Sequence, residues 1–174
     1  MVRVLVVALL LLAGCGARVE PGLPRADDSM PADFVGEITY GNGSLPPPYH
    51  YEWRVEFDTG TARLEWTPGY DGTETWTETV DLGEEERRRL YDRIEKTGLF
   101  EFDDSDDGMA GGATGRATFG RPPDLIHDTG TLGTSEAGQD MLDELVAAVE
   151  PIFPDRVWAE MERKQSDWEE QHPE

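Results

Sequence analysis

Cysteine and histidine, which often act as nucleophiles, proton carriers or metal ligands, are few in this sequence. One cysteine, Cys15, and three histidines, His50, His127 and His172, occur among 174 residues. No two histidines have the spacing that places metal ligands on one helix face, and no Ser/His/Asp or Cys/His set is apparent. Acidic pairs are too frequent to indicate a catalytic couple. The residue types therefore favour a protein that is not an enzyme, with a hydrolase as the open alternative.

An acidic segment places oxygen-bearing side chains at alternate positions. With Asp103 as the first position, Ser105 and Asp107 occupy the third and fifth, and a glycine follows at the sixth. This spacing resembles the opening of an EF-hand calcium loop, where alternate oxygens wrap a hard cation and glycine makes the sharp turn. The twelfth position is Thr114 instead of the bidentate glutamate, and no helical pattern follows. The segment therefore predicts either a weak Ca²⁺ site or a solvated acidic loop.

The tetrapeptide Asp-Thr-Gly-Thr occurs twice, beginning at Asp58 and at Asp128. It is similar to the active-site signature of aspartic proteases, in which two aspartates share one proton and act on a water molecule. Each of those aspartates needs its own β-lobe, whereas these motifs lie 70 residues apart and a helical pattern follows the second. Between alternating strands, Asp58-Thr59-Gly60 instead predicts a hairpin turn in which glycine supplies a positive φ.

Six tyrosine and tryptophan residues fall between residues 49 and 76, and flat rings on a sheet can stack on sugar rings. Strand alternation predicts that three of them face the core, and these are Tyr51, Trp53 and Trp66. The other three lie at strand ends, where exposure is easier, and these are Tyr49, Tyr70 and Trp76. Core packing is the favoured interpretation of the set, and binding of a cell-wall glycan is the alternative.

The only cysteine closes an apolar N-terminal segment. Arg3 precedes nine apolar residues, Val4–Leu12, which is too short for a membrane-spanning helix of about 20 residues. A positive, then apolar, then small-residue order is typical of an export signal. The sequence Leu12-Ala13-Gly14-Cys15 resembles the lipobox of bacterial lipoproteins. The resemblance implies removal of residues 1–14 as a signal peptide and diacylation of Cys15, which becomes the new N-terminus.

Lipidation would fix the location of the chain. Each buried CH₂ contributes about 0.8 kcal/mol, so two or three acyl chains on Cys15 hold a protein firmly. Gly16 stands where the sorting rule of two-membrane bacteria places an aspartate for retention, and by that resemblance the outer membrane is favoured over the outer side of the cytoplasmic membrane. Residues 15–32 are rich in glycine, proline and charge and predict a flexible tether with a span of roughly 20–25 Å. No second cysteine is present to form a disulfide.

The chain is strongly acidic. It has 37 acidic and 15 basic residues and a formal net charge of −22. This charge argues against nucleic acid and anionic lipid as partners, because phosphate would be repelled. It suits cations, basic proteins or plain solubility. Lysine occurs only at Lys96 and Lys164, which indicates either a GC-rich genome or adaptation to high salt, where screening removes self-repulsion.

Residues 33–174 are predicted to form a single α+β domain. Period-two alternation predicts four strands joined by short turns, starting at Phe34, Tyr51, Ala62 and Thr73. Two weaker strands are predicted at Arg116–Phe119 and Asp124–His127, and Pro46–Pro48 as a stiff extended connector. Helices are predicted from Glu84 to a Gly98 C-cap, after a Ser135 N-cap, and from Asp155, with fraying from Glu169. The expected architecture is an antiparallel meander of four to six strands with two or three helices packed on one face.

These features predict a membrane-anchored lipoprotein of the cell envelope. We expect a monomeric, non-catalytic binding or structural module that contacts the membrane through the lipid on Cys15. Its expected partners are a cell-wall glycan, a cation or a basic protein, and nucleic acid is not expected. Two alternatives stay open at this stage: an envelope hydrolase acting on wall polymer or peptide, and a calcium-binding envelope module that uses Asp103, Ser105 and Asp107.

Overall fold

The computed structural model describes residues 30–102, 112–121 and 124–173. In this part of the chain six strands and three helices form an α+β fold, as the sequence predicts. The strands are β1 (Gly36–Gly41), β2 (Tyr51–Phe57), β3 (Thr61–Pro68), β4 (Trp76–Asp81), β5 (Thr114–Arg121) and β6 (Asp124–Asp128). The helices are α1 (Glu84–Thr97), α2 (Glu136–Val149) and α3 (Asp155–Gln171).

The six strands form one antiparallel sheet in the order β4-β3-β2-β1-β5-β6. Strands β1 to β4 are the predicted meander, and the chain returns after α1 so that β5 pairs with the free side of β1. At the centre, Ile38 lies opposite Val55 in β2 and Ala117 in β5. All three are fully buried. Because side chains alternate along a strand, this register decides which face of the whole sheet is covered.

The helices cover one face of the sheet, and the core lies between these two layers. Leu90, Tyr91 and Ile94 of α1 are buried, as their spacing predicts. Apolar residues of the other two helices join them, and these are Leu142, Leu145 and Val149 of α2 and Val157 and Met161 of α3. Phe34 packs edge-on to the Tyr91 ring, with centroids 5.0 Å apart. Burial of such side chains contributes roughly 1.5–3 kcal/mol each.

The opposite face of the sheet is polar. Arg54 Nη2 lies 2.5 Å from Glu37 Oε2, and Arg54 also approaches Glu65. Arg116 forms two hydrogen bonds with the Asp128 carboxylate, which hold the pKa of Asp128 below its usual range. Exposed ion pairs of this kind contribute about 0–1 kcal/mol each. The polar face is therefore compatible with solvent but is not the main source of stability.

The ends of two helices confirm predicted caps. The Ser135 hydroxyl oxygen accepts a hydrogen bond of 2.9 Å from the Gly138 backbone N–H at the start of α2. Gly98 follows α1 with a φ of 78°, in the left-handed region that favours glycine. Both caps satisfy backbone groups that the helix itself leaves unpaired.

Three local predictions are wrong. The connector at Pro46–Pro48 is not simply extended, because the Tyr49 and His50 N–H groups donate to the Pro46 carbonyl oxygen and form a 3₁₀ turn. Strand β4 begins at Trp76 instead of Thr73, because the Thr73 N–H and hydroxyl donate to Asp71 Oδ1 and hold a turn. Helix α3 continues to Gln171, beyond the expected fraying point.

The packed part of the chain begins before residue 33. Met30 packs against the core, and Arg87 Nη1 donates to the Ala32 carbonyl oxygen at 3.1 Å. The signal peptide, Cys15 and most of the predicted tether lie outside the described residues. In the ranges that the structure describes, no helix has both the length and the apolar character needed to cross a membrane.

Candidate functional site

The large apolar side chains that remain exposed in the described residues gather at one end of the sheet. They are Leu45, Tyr49 and Tyr70, with exposed fractions of 42%, 50% and 57%. Leu45 and Tyr49 belong to the loop between β1 and β2, and Tyr70 belongs to the turn between β3 and β4. The Tyr70 hydroxyl donates to the Leu45 carbonyl oxygen at 2.7 Å and joins the two segments. Single exposed apolar residues are ordinary, whereas a contiguous group marks an interaction surface.

A cleft of about 630 Å³ opens beside these residues. We call it the aromatic cleft, and it is lined by Pro47, Pro48, Gly69, Tyr70, Asp71, Trp168, His172 and Pro173. Three segments that are distant in sequence therefore meet here: the β1–β2 loop, the β3–β4 turn and the C-terminal end of α3. Its size lies within the range of about 300–1,000 Å³ that is common for ligand clefts.

His50 supports the aromatic cleft from behind. Its ring is buried and stacks on Tyr70, with centroids 3.7 Å apart. His50 Nδ1 lies 2.9 Å from the Gly43 carbonyl oxygen. Because a carbonyl oxygen only accepts, Nδ1 carries the proton in this bond. The other ring nitrogen, Nε2, lies 3.4 Å from a carboxylate oxygen of Glu52. The Tyr70 ring is thus held between a fixed imidazole and the solvent.

Asn42 closes the base of the β1–β2 loop. Its side-chain Nδ2 donates to the Tyr49 carbonyl oxygen at 2.9 Å, and its Oδ1 accepts from the Tyr51 backbone N–H at 3.0 Å. The Gly69 N–H then donates to the His50 carbonyl oxygen at 2.8 Å, which links this loop to the β3–β4 turn. These bonds fix the loop before any ligand binds, which lowers the entropy cost of binding.

Gln165 joins α3 to the same loop. This buried amide accepts from Trp66 Nε1 at 3.2 Å and donates to the Pro48 carbonyl oxygen at 3.2 Å. Its Nε2 also lies 3.1 Å from Glu169 Oε1. A single side chain therefore satisfies a buried indole N–H of the sheet and fixes the proline wall of the aromatic cleft.

Gly69 permits a close approach between the β3–β4 turn and α3. Its φ is +66°, and a Cβ at this position would lie 2.7 Å from Trp168 Cη2. No other residue type combines the left-handed backbone with this contact at low cost. The Trp168 ring in turn stacks on His172, with centroids 4.2 Å apart. This packing lies at the end of α3, which is helical to Gln171, beyond the predicted fraying point.

The aromatic cleft is acidic. Hydrogen bonds from the Thr73 backbone N–H and hydroxyl to Asp71 hold the pKa of the Asp71 carboxyl below its usual range, so it is ionised at neutral pH. A second carboxylate, Glu169, is connected to the Pro48 carbonyl oxygen because both accept hydrogen bonds from Gln165 Nε2. Among the described residues that line the cleft there is no lysine or arginine. An apolar surface with fixed negative charge suits a ligand that is partly apolar and cationic.

The predicted orientation of the aromatic residues is largely confirmed. Trp53 and Trp66 are buried, and Tyr49 and Tyr70 are exposed. Tyr51 is half-buried and stacks on Trp66, with ring centroids 4.4 Å apart. This burial, with a contribution from neighbouring Tyr40, raises the pKa of Tyr51 to about 12. Trp76, which was expected to be exposed, is instead partly buried against the core, and its indole N–H donates to Glu74.

The two Asp-Thr-Gly motifs do not form one site. Asp58 Oδ1 accepts from the Gly60 and Thr61 N–H groups, each at 2.8 Å, which confirms the predicted turn between β2 and β3. Gly60 does not have the positive φ that we expected, because this side-chain cap holds the turn in an ordinary conformation, whereas Gly130 does have one at 64°. Asp128 lies on β6, three strand spacings or about 14 Å from β2.

The three histidines are not brought together as a catalytic or metal-binding set. His172 lines the aromatic cleft, whereas His50 stacks on the cleft-lining Tyr70 ring without lining the cleft itself. His127 lies on β6 against the Phe100 ring, with centroids 6.0 Å apart. Burial lowers the pKa of His127, although the Asp128 charge partly opposes this. In the described ranges no group of three or more His, Cys, Asp or Glu side chains could hold a metal ion.

Asp103, Ser105 and Asp107 lie outside the described residues, as does Cys15. The calcium loop and the lipid anchor therefore stay predictions from the sequence.

Sequence reasoning missed the contribution of α3 to the site. Gln165, Trp168 and His172 continue the inward stripe of Val157 and Met161 at helical spacing. That continuation was the available signal, because an aromatic ring three residues after a stripe position lies on the same helix face.

No protein-family model matches this chain, and no curated protein sequence matches it.

Proposed function

We propose that the protein is a lipid-anchored, non-catalytic binding module of the bacterial cell envelope, which uses the aromatic cleft as its binding site. The observation that carries the binding role is the grouping of Leu45, Tyr49 and Tyr70 beside a cleft of about 630 Å³. The sequence Leu12-Ala13-Gly14-Cys15 carries the anchor. The segment between Cys15 and Met30, which packs on the core, then tethers the acidic domain to the membrane over a span of roughly 20 Å.

The construction of the site supports binding better than catalysis. A general acid at neutral pH needs a raised carboxyl pKa. The described carboxyls with a shifted pKa are Asp71, Asp128 and Glu160, and in each the pKa is lowered by hydrogen bonds. His127, with its lowered pKa, faces an aromatic ring instead of a polar cleft. These groups are stabilised in one charge state, which suits fixed electrostatic recognition.

The anchor can be tested by fractionation of a bacterial host that expresses the full chain. We expect the chain in the membrane pellet, released by detergent but not by high salt, and labelled by a palmitate analogue. Cys15→Ser should lose the label, and Ser44→Ala, an exposed change elsewhere, should keep it. Equal labelling of the wild type and Cys15→Ser would exclude lipidation at this cysteine.

The binding role can be tested in the same cells with a photo-crosslinking amino acid. Placed at Tyr70, it should yield a discrete adduct, because this ring borders the cleft. Placed at exposed Glu84 on α1, it should not yield that adduct. The same adduct pattern at both positions would show random collision instead of a site.

A further inference from the structure

We propose that the aromatic cleft binds a basic, proline-containing segment of a protein partner in an extended conformation. This inference rests on the proposed function and names the ligand class of the same site. It follows from the residues that form the apolar surface, from the polar groups that the cleft offers and from its charge.

The exposed apolar surface extends beyond the lining of the aromatic cleft. It runs from Trp168 and Pro47 in the aromatic cleft across Tyr70 to Leu45, and the Tyr70 hydroxyl bond to the Leu45 carbonyl oxygen joins these parts. Tyr49 extends the exposed surface along the same loop. Proline-rich segments bind along such aromatic-lined grooves because they are already extended and lose little entropy on binding.

The polar groups are too few for a glycan. Each sugar hydroxyl that is removed from water must find a new hydrogen-bond partner, or binding is penalised. The side chains lining the cleft that carry polar atoms are Tyr70, Asp71, Trp168 and His172, and the Tyr70 hydroxyl proton is already donated to the Leu45 carbonyl oxygen. Proline rings and the apolar stems of lysine or arginine carry no hydroxyl groups. A peptide of these residues can therefore bind in a cleft that offers few hydrogen-bond partners.

One donor is available for a peptide carbonyl group. The indole N–H groups of Trp66, Trp76 and Trp158 each donate within the domain. For the Trp168 indole N–H, which belongs to a cleft-lining ring, no such bond is found among the described residues. Grooves that bind extended proline-rich segments pair aromatic faces with a few such donors.

The charge selects a cation. Asp71 borders the cleft beside the Tyr70 ring, and both Thr73 hydrogen bonds end on Asp71 Oδ1, so Oδ2 takes no part in either. A lysine or arginine can then face the ring and the carboxylate together. The net charge of −22 attracts basic partners over a longer range and repels polyanions.

The test uses the full ¹⁵N-labelled chain in a non-ionic detergent and follows its tryptophan indole N–H signals. The probes are the peptides (Pro-Pro-Lys)₄ and (Pro-Pro-Glu)₄ and the neutral glycan chitotetraose, each to about 10 mM, which is tenfold above a millimolar dissociation constant. We expect only the lysine peptide to shift the Trp168 signal to saturation. Trp168→Phe identifies that signal.

Matched variants locate the binding. Asp71→Asn should lower the affinity for the lysine peptide by about threefold to tenfold at low salt, and added salt should reduce this difference. Asp81→Asn removes the same charge from an exposed position on β4 and should change binding by less than about twofold. Tyr70→Ala should weaken binding by at least about tenfold, because the aromatic face is lost.

Each other outcome overturns the ligand assignment. Saturable shifts with chitotetraose alone would make this a glycan site, and equal shifts with both peptides would remove the role of charge. No shift with any probe would reject the cleft as the site for this class. A chain that is anchored through Cys15 but does not bind the lysine peptide would refute only the ligand assignment. Peptide binding by a chain that is not lipidated would refute only the proposed anchor.

Discussion

The imidazole ring of His50 lies parallel to the ring of Tyr70, with centroids 3.7 Å apart and an interplanar angle of 5°. His50 is buried and hydrogen-bonded to the Gly43 carbonyl oxygen. Tyr70 is exposed on its remaining surface and hydrogen-bonded to the Leu45 carbonyl oxygen. The stack and the hydrogen bond therefore fix the exposed Tyr70 ring in place and connect the β3–β4 turn to the β1–β2 loop.

We expect Tyr70→Ala to lower the free energy of unfolding by about 1–2 kcal/mol, because it removes a ring pair and a hydrogen bond. Tyr70→Phe keeps the stacked ring and loses only the exposed hydrogen bond, so it should cost about 0.5 kcal/mol. Urea unfolding of the full chain in detergent measures both values. Equal stability of Tyr70→Ala and the wild type would mean that the stack does not hold the two loops together.

Gly69 and Gly72 form a matched pair for testing the contact between the β3–β4 turn and α3. Both have positive φ, +66° and +63°, but an added Cβ would collide with Trp168 only at Gly69. We expect Gly72→Ala to cost about 1–2 kcal/mol from the backbone alone. Gly69→Ala should cost about 1–3 kcal/mol more, because the indole ring must move.

Thermal unfolding of the two glycine variants, each also made in a Trp168→Ala background, separates these terms. The additional cost of Gly69→Ala should disappear when Trp168 is absent, and the cost of Gly72→Ala should not change. A persistent difference would show that Gly69 is required for a reason other than its contact with the indole.

The sequence was sufficient for the elements whose one face is buried. Trp53, Val55 and Phe57 alternate with polar residues because one side of β2 faces the helices, and such alternation is visible without a structure. The same holds for the Leu90 and Ile94 stripe of α1. Caps at Ser135 and Gly98 were predictable because each depends on a single local residue.

The aromatic cleft could not be predicted, because its contacts join distant parts of the chain. The bond between Gln165 and the Pro48 carbonyl oxygen spans 117 residues, and nothing local to either residue indicates the other. The pairing of β5 with β1 likewise joins strands that are distant in sequence, so no local pattern indicates it. The start of β4 was also hidden, because the strand pattern looks continuous in the sequence from Thr73. Local hydrogen bonds from Thr73 to the Asp71 side chain instead hold a turn there, so the strand is shorter than its pattern.

Gln165 is expected to contribute more to stability than any exposed residue of α3. Gln165→Ala leaves the buried Trp66 indole N–H without its acceptor and the Pro48 carbonyl oxygen without its donor. We expect a loss of about 2–3 kcal/mol in the free energy of unfolding. Ser166→Ala, at the next and exposed position, should change it by less than about 0.5 kcal/mol.

Denaturant unfolding measures the Gln165 and Ser166 variants under the same conditions. Gln165→Glu gives a further distinction, because a carboxylate keeps the acceptor for Trp66 but loses the donor to Pro48 and lies beside Glu169. It should therefore be more stable at pH about 4, where it is partly protonated, than at pH 7, relative to the wild type. A variant series with no such pH trend would contradict the bridging role of this amide.

His127 should make stability depend on pH in a defined window. Burial lowers its pKa below the ordinary value of 6.5 in the folded chain, and its Nε2 is buried without a hydrogen-bond partner among the described residues. The unfolded chain therefore binds this proton more readily. The free energy of unfolding should rise with pH between the lowered folded pKa and 6.5, and should fall as the pH decreases through that window.

Chemical unfolding at several pH values between about 5 and 7.5 measures this slope, above the range where Asp and Glu side chains titrate. His127→Gln is neutral throughout, so it should remove the part of the slope that His127 contributes. His172→Gln replaces an exposed histidine and should leave that part unchanged. If wild type and His127→Gln have the same slope, His127 takes up its proton equally well in the folded and unfolded chains, and its burial against Phe100 has no energetic consequence for protonation.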